Sequence, residues 1–385
     1  MSTLPARRPP EDPAEQLAAH ELPHHPGIVE IEAPRRRHER QAQRGHVAGR
    51  EVEVDPGAQA PGRRLAATRR WPLSALEART ADHLAPKEYR FDGDWTAVHG
   101  ESLWPAGKTL FLRADVETPL VEPGQFLYLE FCTEGLEGLL SINGRPYAGI
   151  DDEHPRVGVP ASERLSLEAE FSCLAAALHN PALRSEQARL REVAFVPVDL
   201  EIQAAWYDLW FTWEAGRWAR DERRRRLLHE ALEEALLAVD LTGAPEQLRR
   251  EATVARDILR QRVGAIAPDP EAGRIFLTGH AHIDTAWLWP LRETVRKCAR
   301  TFSTACRLLE RYPDYHFSCS QPQLYAYTRR HYPALYDDIR HWVQAGRWEC
   351  TGGMWVESDC NIPDGESLIR QILHGVRFFQ REFGR

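Results

Sequence analysis

Lysine is almost missing from this chain: it stands only at positions 87, 108 and 297 of 385 residues, and the other 46 basic residues are arginines. Such a bias reads as GC-rich coding, as in bacterial genomes, and carries no mechanism. A run of about 18 apolar residues is also missing, so no membrane-spanning helix is expected. The formal net charge is -8, which gives nucleic acid no electrostatic reason to bind. The seven cysteines (Cys132, Cys173, Cys298, Cys306, Cys319, Cys350 and Cys360) are odd in number and include no C-x-x-C pair. Free thiols in a reducing, cytoplasmic compartment fit that pattern.

Aromatic residues are absent before Trp71. Residues 1–70 are instead rich in Pro, Arg, Ala and Glu, with no sustained hydrophobic period and no apolar core of the kind a secretion signal has. Such a segment cannot bury enough apolar area to offset its ordering entropy. It reads as a disordered head, or as the product of an over-long gene start. Its five histidines (His20, His24, His25, His38 and His46) read as scattered and solvated.

Three kinds of pattern follow. Residues 71–200 are β-like: Lys108–Arg113 and Gln125–Phe131 read as strands, Pro123-Gly124 as a turn, and Asn143-Gly144 between apolar flanks as a hairpin. A β-sandwich accessory domain is expected, either sugar-binding or structural. Residues 201–270 are helical. Leu227, Leu228, Ala231, Leu232, Ala235, Leu236 and Val239 recur at helical spacing, Arg220–Arg226 reads as a solvated face, and a further helix runs from about Pro245 to Val263. Trp206, Trp210, Trp213 and Trp218 crowd its start, and core packing is the simpler reading than a sugar platform. From 271 to 385 strands and helices alternate: strands at 274–278, 315–320 and 348–351, and helices near 290–311, 321–331, 333–345 and 364–382. That alternation implies a parallel sheet whose strand ends point one way.

Two of those strand ends carry chemistry. Gly279-His280-Ala281-His282-Ile283-Asp284-Thr285-Ala286-Trp287-Leu288-Trp289-Pro290 follows the first strand. Side chains two apart in extended chain share a side, so His282 and Asp284, or His280 and His282, can meet one cation. A capping Asp with loop-bound histidines is the plain alternative. Gly352-Gly353-Met354-Trp355-Val356-Glu357-Ser358-Asp359-Cys360 follows the last strand, with paired glycines for close approach or positive φ. Cys360 reads as a packing residue before a nucleophile. In a parallel sheet the two loops emerge at one edge, which favours a metal-assisted site.

These two segments, with Ser318–Tyr325 and Gly365–Gln371, resemble glycoside hydrolase family 38, the α-mannosidases, most closely the vacuolar, cytosolic and bacterial branch. The resemblance is strong over 274–385, extends to the β-rich and helical parts from about 90, and covers none of the first 70 residues. It implies a barrel-like α/β catalytic domain, of which 271–385 is the N-terminal part, and a retaining, zinc-dependent mechanism on mannose-containing oligosaccharides. His282 and Asp284 would be zinc ligands. Asp359 would be the nucleophile and a further ligand, with Glu357 ranked behind it. Trp287 would line the mannose subsite and His280 would support the ligand pair. The last zinc histidine and the general acid/base of family members lie further along. The polypeptide is therefore expected to be a truncated piece, inactive or poorly folded alone; self-association is left open. Two other readings compete: an amidohydrolase-like hydrolase built on His280-x-His282, and a non-catalytic carbohydrate-binding fragment.

Overall fold

The computed structural model describes residues 43–47, 50–54, 67, 69–172, 187–268, 273, 275–287 and 289–384. Within the head, β1 (Gln43–Val47) and β2 (Arg50–Val54) pair as an antiparallel hairpin. Of the remaining head only Ala67, bridged to Val198, and Arg69 and Arg70 are described; the disorder expected of the rest lies outside the described residues.

The β-rich part is two antiparallel sheets packed face to face. Its strands are β3 (Trp71–Pro72), β4 (Glu77–Ala85), β5 (Glu88–Ala97), β6 (Ser102–Pro105), β7 (Thr109–Glu117), β8 (Gln125–Glu134), β9 (Glu137–Ile142), β10 (Arg145–Ile150), β11 (Arg156–Gly158), β12 (Arg164–Ser172) and β13 (Gln187–Asp199). One sheet runs β10-β9-β12-β7-β4-β5; the other runs β11-β8-β13-β3, with β6 also on β13. Leu110, Leu112, Leu140, Leu167 and Phe171 of the first meet Leu127, Leu129, Phe131, Val193 and Phe195 of the second in one buried cluster. The turn between β9 and β10 is the expected Asn143-Gly144, with both residues at positive φ, as a two-residue hairpin requires.

Period-two alternation explains what covers the sandwich. On β13, Val193 and Phe195 face the inner core, while Val196 and Val198 face the helices with Ile202, Leu248 and Ala252. Those helices are α1 (Leu200–Trp218), α2 (Glu222–Leu237) and α3 (Pro245–Gly264). Asp199 caps α1 by accepting from the amides of Glu201 and Ile202. Leu228, Ala231, Leu232 and Ala235 form the buried stripe of α2, as the spacing predicts. Trp206, Trp210 and Trp213 lie half-buried along α1, with rings 5.2–6.1 Å apart in sequence order, and Trp218 is exposed.

On β9, Leu140 faces the inner core and Leu139 faces a second layer. That layer is a three-stranded parallel sheet in the order β14 (Gly279–His280), β15 (Phe317–Cys319), β16 (Trp348–Cys350). Around it lie α4 (Leu291–Arg311), α5 (Pro322–His331), α6 (Pro333–Gln344) and α7 (Gly365–Phe383). Trp348, Phe302, Tyr325 and Phe379 form its aromatic centre.

Of the strand expected at 274–278, the described residues 275–278 form no regular pairing. Ile275, Phe276 and Leu277 are 78%, 88% and 91% exposed, and regular pairing begins only at Gly279. The neighbouring chain turns away just before β15, with the amide of Tyr315 donating to the carbonyl of Tyr312. No facing backbone is then left for residues 275–277.

Helix α4 is buried on almost every side. It follows the first acid-bearing loop directly and separates the sandwich from the α/β layer. Its buried charged residues are paired with one another and with carboxylates of the sandwich. Glu293 and Arg296, each 2% exposed, pair through Arg296 Nε to Glu293 Oε2 at 2.7 Å. Arg296 Nη1 reaches Thr109 Oγ1 at 3.0 Å and Glu170 Oε1 at 3.1 Å in the sandwich. Arg300 bridges Glu293 (2.9 Å) and Glu137 (2.8 Å), and Lys297 joins Glu137 at 2.7 Å. Desolvation pushes the Glu293 pKa up, but Arg300 and Arg296 outweigh it and hold the carboxylate below its ordinary range.

Candidate functional site

The carboxyl ends of β14, β15 and β16 form one rim, and the three loops leaving them meet there. The first loop alternates as extended chain should. Ile283 is buried in the α/β core, whereas His282 and Asp284 on either side of it are exposed at the rim. His282 Nε2 stands 3.2 Å from Asp284 Oδ1. His280 Nδ1 lies 3.2 Å from Ser318 Oγ on the neighbouring strand. Past Asp284 the loop is tied to α4: Thr294 Oγ1 donates to the carbonyl of Thr285 at 2.6 Å and accepts from Trp289 Nε1 at 3.0 Å. Trp287 is exposed and edge-on to Trp289 at 5.5 Å. The Lys297 ammonium lies 4.5 Å from the Trp289 ring centre.

The last loop is shaped by its glycines. Gly352 has φ +71°, a conformation side chains disfavour. Gly353 packs so closely on α7 that a Cβ at Gly375 would fall 2.0 Å from its carbonyl oxygen. Trp355 is then pinned by its amide to the carbonyl of Gln371 (2.9 Å) and by Nε1 to Gln323 Oε1 (2.8 Å). The amide of Val356 donates to Gln371 Oε1 at 2.8 Å. This places Glu357 across the mouth, with Oε2 at 2.8 Å from His282 Nδ1. Asp359 lies two residues on; its Oδ1 accepts the amide of Asn361 at 2.9 Å.

The middle loop supplies a residue whose side chain the sequence reading did not single out. Gln321 is 2% exposed and sits at φ +64° immediately before Pro322. Its Nε2 donates to the carbonyl of Ile283 at 2.9 Å, and its Oε1 accepts from Thr285 Oγ1 and from the amide of Glu357, both at 3.2 Å. The available signal was a polar residue at a buried strand's end, next to a proline at the first turn of a helix.

His282 thus lies between two carboxylates, one from each acid-bearing loop. The hydrogen bond to Asp284 raises its pKa above the ordinary value against the opposing effect of partial burial, and Glu357 adds to the rise. Such a place stabilises positive charge, whether a proton or a metal ion. Imidazole nitrogen and carboxylate oxygen suit zinc, and bonds of roughly 2.0 Å in tetrahedral geometry put neighbouring donors about 3.3 Å apart. The 3.2 Å separation of His282 Nε2 and Asp284 Oδ1 matches that edge. These two side chains fit two corners of a zinc site; among the described residues no group of three or more donors is arranged to hold an ion. No helix among the described residues is long and apolar enough to cross a membrane.

Comparison with known proteins bears on the same residues. Residues 272–385 match the family model described as Glycosyl hydrolases family 38 N-terminal domain. The chain is similar to Alpha-mannosidase 2C1 of Homo sapiens, 32% identical over 338 residues, which is 82% of this chain and 31% of that protein. It is similar to Alpha-mannosidase G of Dictyostelium discoideum, 49% identical over 112 residues (29% of this chain, 10% of that protein). It is also similar to Alpha-mannosidase of Saccharomyces cerevisiae, 31% identical over 225 residues (56% and 20%). The human match is three times as long as the family-model match, so the likeness reaches well into the β-rich and helical parts. The chain spans less than a third of the length of these curated relatives. With the H-x-D loop and the G-G-x-W loop brought to one rim inside the matched segment, residues 272–385 are the part of this chain that corresponds to the N-terminal domain of glycosyl hydrolase family 38.

Proposed function

We propose that this chain carries the nucleophile-bearing part of a retaining, zinc-dependent α-mannosidase that removes terminal α-mannose from glycans. The observation that carries the reading is His282 set between Asp284 of its own loop and Glu357 of the opposite one. His282, Asp284 and Asp359 would hold the ion, which when bound supplies Lewis-acid contacts to the vicinal hydroxyls of mannose. Trp287 offers its exposed ring to the apolar face of the sugar. Asp359 attacks the anomeric carbon as a carboxylate, and the acid that protonates the leaving oxygen would stand roughly 5–5.5 Å from it. That acid is expected in the part of the relatives' length that this chain does not span. Free thiols fit a reducing compartment for this activity.

A specific observation keeps Glu357 as the competing carboxylate, because Glu357 makes the 2.8 Å contact with His282. Zinc titration of the 385-residue chain, with Asp359→Asn and Glu357→Gln beside it, tests both readings. Weakened binding in Asp359→Asn but not in Glu357→Gln is expected; the reverse order would transfer the role to Glu357. The isolated chain is expected not to turn over p-nitrophenyl α-mannoside, and clear turnover would refute that.

A further inference from the structure

Gln321 has no role in the chemistry just described, yet its buried side chain ties the two acid-bearing loops together. We infer that Gln321 is a positioning residue that fixes the spacing between the Asp284 loop and the Glu357–Asp359 loop, and so preorganises the cation site. The inference rests on the zinc reading for its purpose but on geometry for its content. One amide, 2% exposed, uses Nε2 to hold the backbone next to Asp284 and Oε1 to hold both Thr285 and the amide of Glu357. All three bonds lie within one residue of a carboxylate-bearing position. A shift of either loop must break at least one of them.

The backbone at Gln321 supports a positioning role. A non-glycine residue at φ +64° is disfavoured and persists only where surrounding contacts over-determine it. Here the left-handed turn lets the chain leave β15, aim its side chain inward between the loops, and start α5 at Pro322 within one residue. A residue needed only to begin α5 would have no cause to bury its amide. Ligand-orienting partners of this kind typically change metal affinity by roughly 10–100-fold when removed.

Gln321→Asn is the discriminating variant. Asparagine tolerates the left-handed backbone, so the turn survives, but its amide is one methylene short and cannot span both loops. Two readouts on the 385-residue chain are required: zinc affinity by competition with a chromophoric chelator, and hydrogen exchange of the Glu357 amide without metal. The expected result is zinc binding weakened by about 10–100-fold and faster exchange at Glu357. Thr285→Val, which deletes one of the two donors to Gln321 Oε1, should weaken zinc binding by a smaller factor, and it carries the test if Gln321→Asn does not fold. Zinc affinity within twofold of the unchanged chain in both variants, with Glu357 equally protected, overturns the inference. If the unchanged chain binds no zinc, the metal reading falls, and preorganisation of a cation site falls with it. Glu357 exchange then still tells whether Gln321 clamps the loops.

Discussion

Replacing Arg296 with Met removes one partner of a buried ion network while keeping most of the side-chain volume. Arg296 is 2% exposed and serves Glu293, Glu170 and Thr109 at 2.7–3.1 Å. Removing one member of such a network commonly costs about 3–5 kcal/mol, because the remaining charge stays buried without its partner. Glu293 keeps Arg300 at 2.9 Å, and Glu170 keeps the Tyr89 hydroxyl, so the lower end, about 3 kcal/mol, is expected. Urea unfolding followed by tryptophan fluorescence reads this as a midpoint lowered by about 1 M at a slope of about 3 kcal/mol/M. The double variant Arg296→Met/Glu293→Met should be less destabilised than Arg296→Met alone, since the most buried carboxylate is then removed with its partner and Arg300 retains Glu137. A loss under about 1 kcal/mol for Arg296→Met, or additive losses in the pair, would refute the reasoning that the network is buried and coupled.

Other outcomes follow from the same structure. Burial, with Arg296 nearby, lowers the His83 pKa from 6.5 to about 4. The unfolded chain then binds the extra proton between those values, so stability should rise as pH climbs from about 4 to 6.5, and His83→Gln should flatten that slope in thermal unfolding. Asp199→Ala removes the cap of α1 and should cost about 1 kcal/mol, read by urea unfolding. Among the described cysteines, exposed Cys360 should alkylate first. Cys298, Cys306 and Cys319 should resist until unfolding, since burial raises all three thiol pKa values, that of Cys319 to about 12; peptide mapping after brief iodoacetamide treatment checks the order.

What the sequence made legible was local. Asn143-Gly144 announced its hairpin because only residues tolerant of positive φ suit that turn. The H-x-D alternation announced the rim, because Ile283 alone carries apolar area to bury. The helices from 291 to 383 were written in their spacing. What stayed hidden was set by distant partners. Glu293, Arg296, Lys297 and Arg300 look like a solvated helix face, since charged residues are seldom buried unpaired. Their carboxylate partners in the sandwich, Glu170 and Glu137, lie 126 to 163 residues away in the chain. Ile275, Phe276 and Leu277 have strand composition, but composition does not reveal that the neighbouring chain turns off before it can pair with them. Gln321 left only a faint signal for a related reason: its value lies in two loops that only the folded sheet brings together.

Helix α4 has two owners. On one side it roots the loop of His282 and Trp287; on the other its cations are neutralised by the sandwich, down to a lysine that Glu137 steadies over the Trp289 ring. A cut near residue 271, inviting on the page as a seam between modules, would take Glu170 and Glu137 from Arg296, Lys297 and Arg300 and leave Glu293 alone to serve the two arginines along the support of the His282 loop. The sandwich is a foundation rather than an appendage, and engineering of the mouth should begin from the whole.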